Sequence, residues 1–142
     1  MVDMSASIFQ PLPVDADSIK LLLLQPSSQK RARIKCSRTT TQLSRGYSYE
    51  AVSYTWGAPL PSRQIFVDNQ ALEIGDNLYH CLLRLRHPHR TRALWIDATC
   101  IRQSSLVEKG HQIKLMPKIY SHAANALAWL GEDANNSELL VP

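Results

Sequence analysis

Leu94-Trp95-Ile96-Asp97-Ala98-Thr99-Cys100-Ile101-Arg102-Gln103 is the stretch on which the fold turns. Arg92 to Ile96 is a short apolar run that reads as a buried strand. It passes at Asp97 into a loop of polar and small residues. An earlier segment, Tyr49-Glu50-Ala51-Val52-Ser53-Tyr54-Thr55-Trp56-Gly57, has the same form. Its β-branched and aromatic residues predict a strand over 49–55, and Gly57 and Pro59 end it. If the two strands lie parallel in an open sheet, their carboxyl ends share one edge, where ligands of α/β proteins bind.

The elements between and beyond them fit that arrangement. Asp76 is placed to cap a helix whose Leu78, Cys81, Leu82 and Leu85 form one apolar stripe, stopped by Pro88. A second helix is expected from Ser104 or Ser105 to about Ala124, with Ser105 and Glu108 at capping-box spacing. Ile113, Met116, Tyr120 and Ala123 are its expected buried face, and Pro117 is expected to kink or break it. Ala126 to Leu130 is a last strand. Helix, strand, helix, strand in this order favours parallel pairing. Before Tyr49, Ile19 to Leu24 and Ala32 to Ser37 read as short strands, and Arg38 to Arg45 as a Thr/Ser-rich loop. Gln64–Val67 and Ala71–Ile74 flank Asp68-Asn69 as a hairpin. These early strands and the hairpin read as additions at a sheet edge. The expected class is α/β: an open, mostly parallel sheet flanked by helices. Residues 1–17 read as a flexible leader and 18–142 as one domain.

Bulk properties narrow the function. The 142 residues are 44% hydrophobic and 20% charged, which suits a globular domain rather than a disordered chain. A net charge of +4 is too small to imply nucleic acid by itself. The longest uninterrupted apolar run, Leu21 to Leu24, is far short of a membrane span. Cys36, Cys81 and Cys100 are odd in number and widely spaced, so no disulfide framework follows and a cytoplasmic setting is expected. His80, His87, His89, His111 and His122 lack zinc-ligand spacing, so no metal is expected. The basic residues Arg84, Arg86, Arg90 and Arg92, with Lys30, Arg31, Arg33 and Lys35, read as solvated charge or as a phosphate patch.

Within the combined pattern Tyr49-x-Ala51-Val52-Ser53-Tyr54-x-Trp56-Gly57, Leu94-Trp95-Ile96-Asp97-Ala98-x-Cys100-Ile101-x-Gln103 and Trp129-Leu130-Gly131, the chain resembles the fungal heterokaryon-incompatibility (HET) domain family. The resemblance runs from about Ile19 to Asp133 and takes in Asn77-Leu78, Glu108, Gln112-Ile113 and Ile119-Tyr120. It implies a role in nonself recognition, programmed cell death and innate immunity of fungal cells, with protein partners or self-association. It also implies a distant likeness to TIR domains, whose fold is flavodoxin-like and some of which cleave NAD. The chain departs from the family pattern at Arg102, where Asn is usual, and at Ser105 and Pro117. Many relatives continue past the point where this chain stops, so a domain incomplete at its carboxyl end is expected.

The candidate site is the shared strand edge. Asp97 would bind a ribose hydroxyl or act as acid or base, and Glu108 is the second candidate catalytic carboxylate. Trp56 would cover a base, Gly57 would let the backbone approach phosphate, and Gln103 would orient the substrate, with NAD as the candidate. Each has a plainer reading. Trp56 and Gly57 can simply close a strand, Asp97 can cap its loop, and Glu108 can serve the helix start. Cys100 with His111 would need a base in hydrogen-bond reach to act as a nucleophile. The alternatives to an enzyme are a non-catalytic interaction module and an inactive fragment.

Overall fold

The structure, a computed structural model, describes residues 17–54, 62–101 and 104–129. Its strands are β1 (Ser18–Leu24), β2 (Lys35–Gln42), β3 (Glu50–Tyr54), β4 (Ser62–Val67), β5 (Gln70–Gly75), β6 (Arg92–Ile96) and β7 (Asn125–Trp129). Its helices are α1 (Asp76–Leu85), α2 (Asp97–Cys100) and α3 (Leu106–His122). The strands form one seven-stranded sheet in the order β5-β4-β2-β1-β6-β3-β7.

The parallel half of the sheet is as expected. β3 pairs in parallel with β6, Val52 opposite Ile96, and with β7, Tyr54 opposite Trp129. The hairpin is also as expected. Asp68 and Asn69 have φ of 52° and 65°, the left-handed pair that a tight two-residue turn requires, and β5 is the outermost strand.

The sheet is mixed rather than mostly parallel, and this corrects the sequence reading. β1 runs antiparallel to both β2 and β6, and β4 antiparallel to β5. Nor do the early strands sit at an edge, for β1 is the middle strand of the sheet. The physical reason is burial on both faces: Ile19, Leu21, Leu22 and Leu24 are fully buried, which only a central strand allows. β2 extends through the supposed loop to Gln42, because Thr39, Thr40 and Thr41 are β-branched and pair with Leu21, Lys20 and Ile19.

Pairing also sorts the helices onto the two faces. Residues opposite one another in a sheet point to the same side. Trp95 and Ala126 both pair with Ala51, so they share a face, and Trp95 meets Tyr120 of α3 edge-on at 5.8 Å. Trp129, an odd number of residues from Ala126, points the other way, and its indole donates to Asn77 Oδ1 of α1 at 2.9 Å. Thus α1 covers one face and α3 the other. The predicted stripe Leu78, Cys81, Leu82 and Leu85 is the buried face of α1. Asp76 does not cap α1. Gly75 is the N-cap, and Asp76 instead pairs with Arg63 at 2.9 Å and His80 at 3.3 Å.

Of the expected buried face of α3, Met116, Tyr120 and Ala123 pack against the core, but the helix is rotated beyond that setting. It buries Glu108, Gln112, Leu115 and Ile119, while Ile113 is exposed. Pro117 does not break the helix. Both Pro117 and Ile113, whose carbonyl the missing N–H would have met, lie on the solvent side, where water can satisfy that carbonyl. Gly110 also lies within α3, where a glycine costs about 1 kcal/mol relative to alanine. Among the described residues no helix is long and apolar enough to cross a membrane.

Candidate functional site

β3 and β6 end side by side, so the register brings Asp97 next to the tip of β3. Asp97 is the first residue of α2, and its carbonyl accepts from Ile101 N at 3.1 Å. Its carboxyl is half-buried. Burial raises its pKa, against the lowering effects of the Ala98 N–H and of the Lys109 ammonium. Two phenols stand in the same field. Burial raises the pKa of Tyr54, at the end of β3, and of Tyr120, on α3, and the charge of Asp97 raises both further. The strand edge therefore holds a carboxylate that is costly to ionise, two neutral hydroxyls and one ammonium. Such a set can grip a polar ligand by hydrogen bonds and can hold or release a proton.

The sign of the Asp97 shift has a consequence for stability. Between its ordinary value of 3.8 and the raised folded value, the folded chain holds more of this proton than the unfolded chain does. Stability therefore falls as pH rises through that window, and the cost is present in full above it. Asp97→Asn is expected to be more stable than the native chain at pH 7. The gain should shrink as pH falls toward 3.8, measured as urea midpoints across a pH series. A native chain more stable than Asp97→Asn at neutral pH would reverse this reading.

Glu108 lies elsewhere in the polar framework. Its backbone N–H donates to Ser105 Oγ at 3.3 Å, as the capping spacing predicts. Its side chain is buried, with Oε1 4.0 Å from Lys20 Nζ on β1. Gln112, fully buried, donates from Nε2 to Ser18 O at 3.0 Å. Together they fasten α3 to the start of β1. Arg38 of β2 donates to Thr99 O at 2.7 Å and fastens α2 in the same way. These supports place Asp97. Trp56, Gly57 and Gln103 lie outside the described residues.

Cys100 has none of the surroundings of a nucleophile. It is fully buried, burial raises its pKa, and its sulfur is hydrogen-bonded to Ile96 N at 3.4 Å. Burial likewise pushes the Cys36 and Cys81 thiols up to about 12. Of the basic residues, Lys30, Arg31, Arg33, Lys35, Arg84 and Arg90 are exposed, whereas Arg86 and Arg92 are braces. Arg86 donates to Ala32 O and Gln29 O, both at 2.9 Å, clamping the loop between β1 and β2. Arg92 reaches Glu50 at 2.6 Å and Leu85 O at 3.0 Å.

A cleft of about 730 Å³ lies at the other end of the sheet, lined by Tyr47, Glu50, Arg90, Arg92 and Asn125. Glu50, Arg92 and Asn125 begin β3, β6 and β7, so this is the amino end of the parallel strands. Its Glu50 is already engaged by Arg92 and by Asn125 Nδ2 at 3.3 Å. Volume alone does not outweigh a perturbed carboxylate at the opposite edge, and the Asp97 edge is the better candidate.

Comparison with known proteins agrees with the pattern at these strands. The family model described as heterokaryon incompatibility protein (HET) matches residues 49–142, which begins at β3 and includes the whole Asp97 edge. The chain belongs to the HET family. It is 36% identical over 136 residues to heterokaryon incompatibility protein 6, OR allele, of Neurospora crassa. That match covers 87% of this chain and 20% of the relative, so the chain spans about a fifth of the relative's length. No solved structure matches.

Proposed function

We propose that this chain acts in fungal heterokaryon incompatibility, and that its working surface is the edge where β3 and β6 end, taking an NAD-type dinucleotide as substrate. The observation that carries this reading is the half-buried, hard-to-ionise Asp97 set beside the tip of β3 within the family-matching region. A ribose diol offers two hydrogen-bond donors to such a carboxylate. Tyr54 and Tyr120 add hydroxyls, and Lys109 offers a cation to a phosphate. By sequence adjacency Trp56 and Gly57 follow β3, and Gln103 follows α2; they would contribute base stacking, phosphate approach and orientation. Glu108, engaged with Lys20, serves by holding the start of α3.

The test is NAD consumption by the purified 142-residue chain and its Asp97→Ala variant, alongside viability of a fungal host expressing each. The native chain is expected to consume NAD and to kill. The variant should lose about 10- to 100-fold of the turnover, the worth of a hydrogen bond to a charged group. Unchanged NAD with the native chain would remove the enzymatic reading. Host death without turnover would instead favour the second reading, a non-catalytic interaction module, which the exposed apolar residues of α3 support. Survival with both chains would point to a fragment that lacks its effector part.

A further inference from the structure

α3 buries a mixed polar and apolar face and leaves apolar residues on the other. Glu108, Gln112, Leu115 and Ile119 face the sheet. On the opposite side, at i, i+4, i+7 and i+11, stand Leu106, Gly110, Ile113 and Pro117. Leu106 is 83% exposed, Ile113 51%, and Val107 beside them 70%. Single exposed apolar residues are ordinary, but a continuous seam along one helix is the mark of a docking face.

Gly110 is an independent sign of what approaches. A Cβ built on it meets nothing within 4 Å, so packing inside this chain does not call for a glycine there. A glycine on an open helix surface is explained if another backbone comes close over it. The rim of the seam sets the partner's charge. Lys114 and Lys118 flank it on one side and Lys109 on the other, while the only acidic residue of α3, Glu108, is buried on the far side. A second copy presenting the same face would bring lysines against lysines.

We infer that the Leu106–Gly110–Ile113–Pro117 face of α3 is a docking site for an acidic amphipathic helix of another protein. The partner's apolar residues would lie in the seam over Gly110, and its carboxylates would meet Lys109, Lys114 and Lys118. The apolar seam holds no residue of the Asp97 edge; Lys109 on its rim also faces Asp97, and the variants below leave it in place.

The probe is a pair of designed helical peptides of about 20 residues, long enough to hold helix. Both carry one leucine stripe, flanked by Glu in the first and by Lys in the second. Binding to the whole chain is read by fluorescence anisotropy, beside sedimentation of the chain alone and co-sedimentation with phosphatidylserine vesicles. The Glu-flanked peptide should bind, more weakly as salt is raised, and the Lys-flanked one should not. Ile113→Asp and Gly110→Leu should each weaken binding by about 10-fold or more, the loss typical of a central anchor. The double reversal Lys114→Glu with Lys118→Glu should move the preference to the Lys-flanked peptide, an outcome that misfolding cannot imitate. Absence of binding, or equal binding of both peptides, would overturn the inference. So would a dimer of the chain alone that Ile113→Asp abolishes, or vesicle binding without peptide binding.

Discussion

Lys20→Ala is expected to destabilise the chain by about 3–5 kcal/mol, because it removes one partner of a buried ion pair and leaves the other charge in place. Lys20 is 1% exposed and lies in β1 between Ile19 and Leu21. Its ammonium faces Glu108 Oε1 at 4.0 Å, and the Glu108 side chain is 9% exposed. The pair joins the middle strand of the sheet to the first turn of α3. Replacing both partners by apolar residues of similar volume, Lys20→Met with Glu108→Leu, should restore most of the loss, since no charge is then stranded. Urea unfolding of the two singles and the double measures this. A single variant within about 1 kcal/mol of native, or a double no better than the singles, would show that the pair is not the fastener of α3.

Trp95 carries the second large effect. It is fully buried in β6, with Ala51 beside it and Tyr120 edge-on against it. Trp95→Ala should cost about 3–5 kcal/mol through lost burial and the cavity left behind. Trp95→Phe should cost less than half as much. Its indole Nε1 finds no hydrogen-bond partner among the described residues, so the phenyl ring gives up area but no polar contact. Thermal melts of both variants decide the matter. A phenylalanine variant as damaged as the alanine one would mean that the indole N–H is bonded after all.

Much of this was legible in the chain, and the residues show why the rest was not. β6, the apolar stripe of α1 and the Asp68-Asn69 hairpin were readable because each rests on local periodicity or turn chemistry. Asp97 was readable because it follows a buried strand. The central position of β1 was not, for its flank is covered by β6, some 70 residues away, and Lys20, which breaks its apolar pattern, is met by Glu108 of α3. β2 was shortened because serine, threonine and arginine at 37–42 resemble a loop, whereas cross-strand pairing decides. The setting of α3 is legible only in part: Met116, Tyr120 and Ala123 do pack on the core, but its buried stripe holds Glu108 and Gln112 and its open side holds Ile113. Periodicity sorts apolar from polar, and here two polar residues are inside. Tyr54, Tyr120 and Lys109 gather near Asp97 only through strand register and helix placement, which no short window of sequence contains.

The placement of β1 also bears on how the chain comes together as it is made. β1 and β2 leave the ribosome before β6 and can zip at once, yet the far flank of β1 must wait for Arg92–Ile96 to emerge. At about 5–20 residues per second that interval lasts several seconds, with a row of leucines and bare backbone N–H and C=O groups open to any passing strand. A polypeptide cut to the family-matching part, residues 49–142, would carry the same hazard permanently, with β6 as the naked flank. The stretch that marks the family thus leaves out the strand that shields one flank of β6.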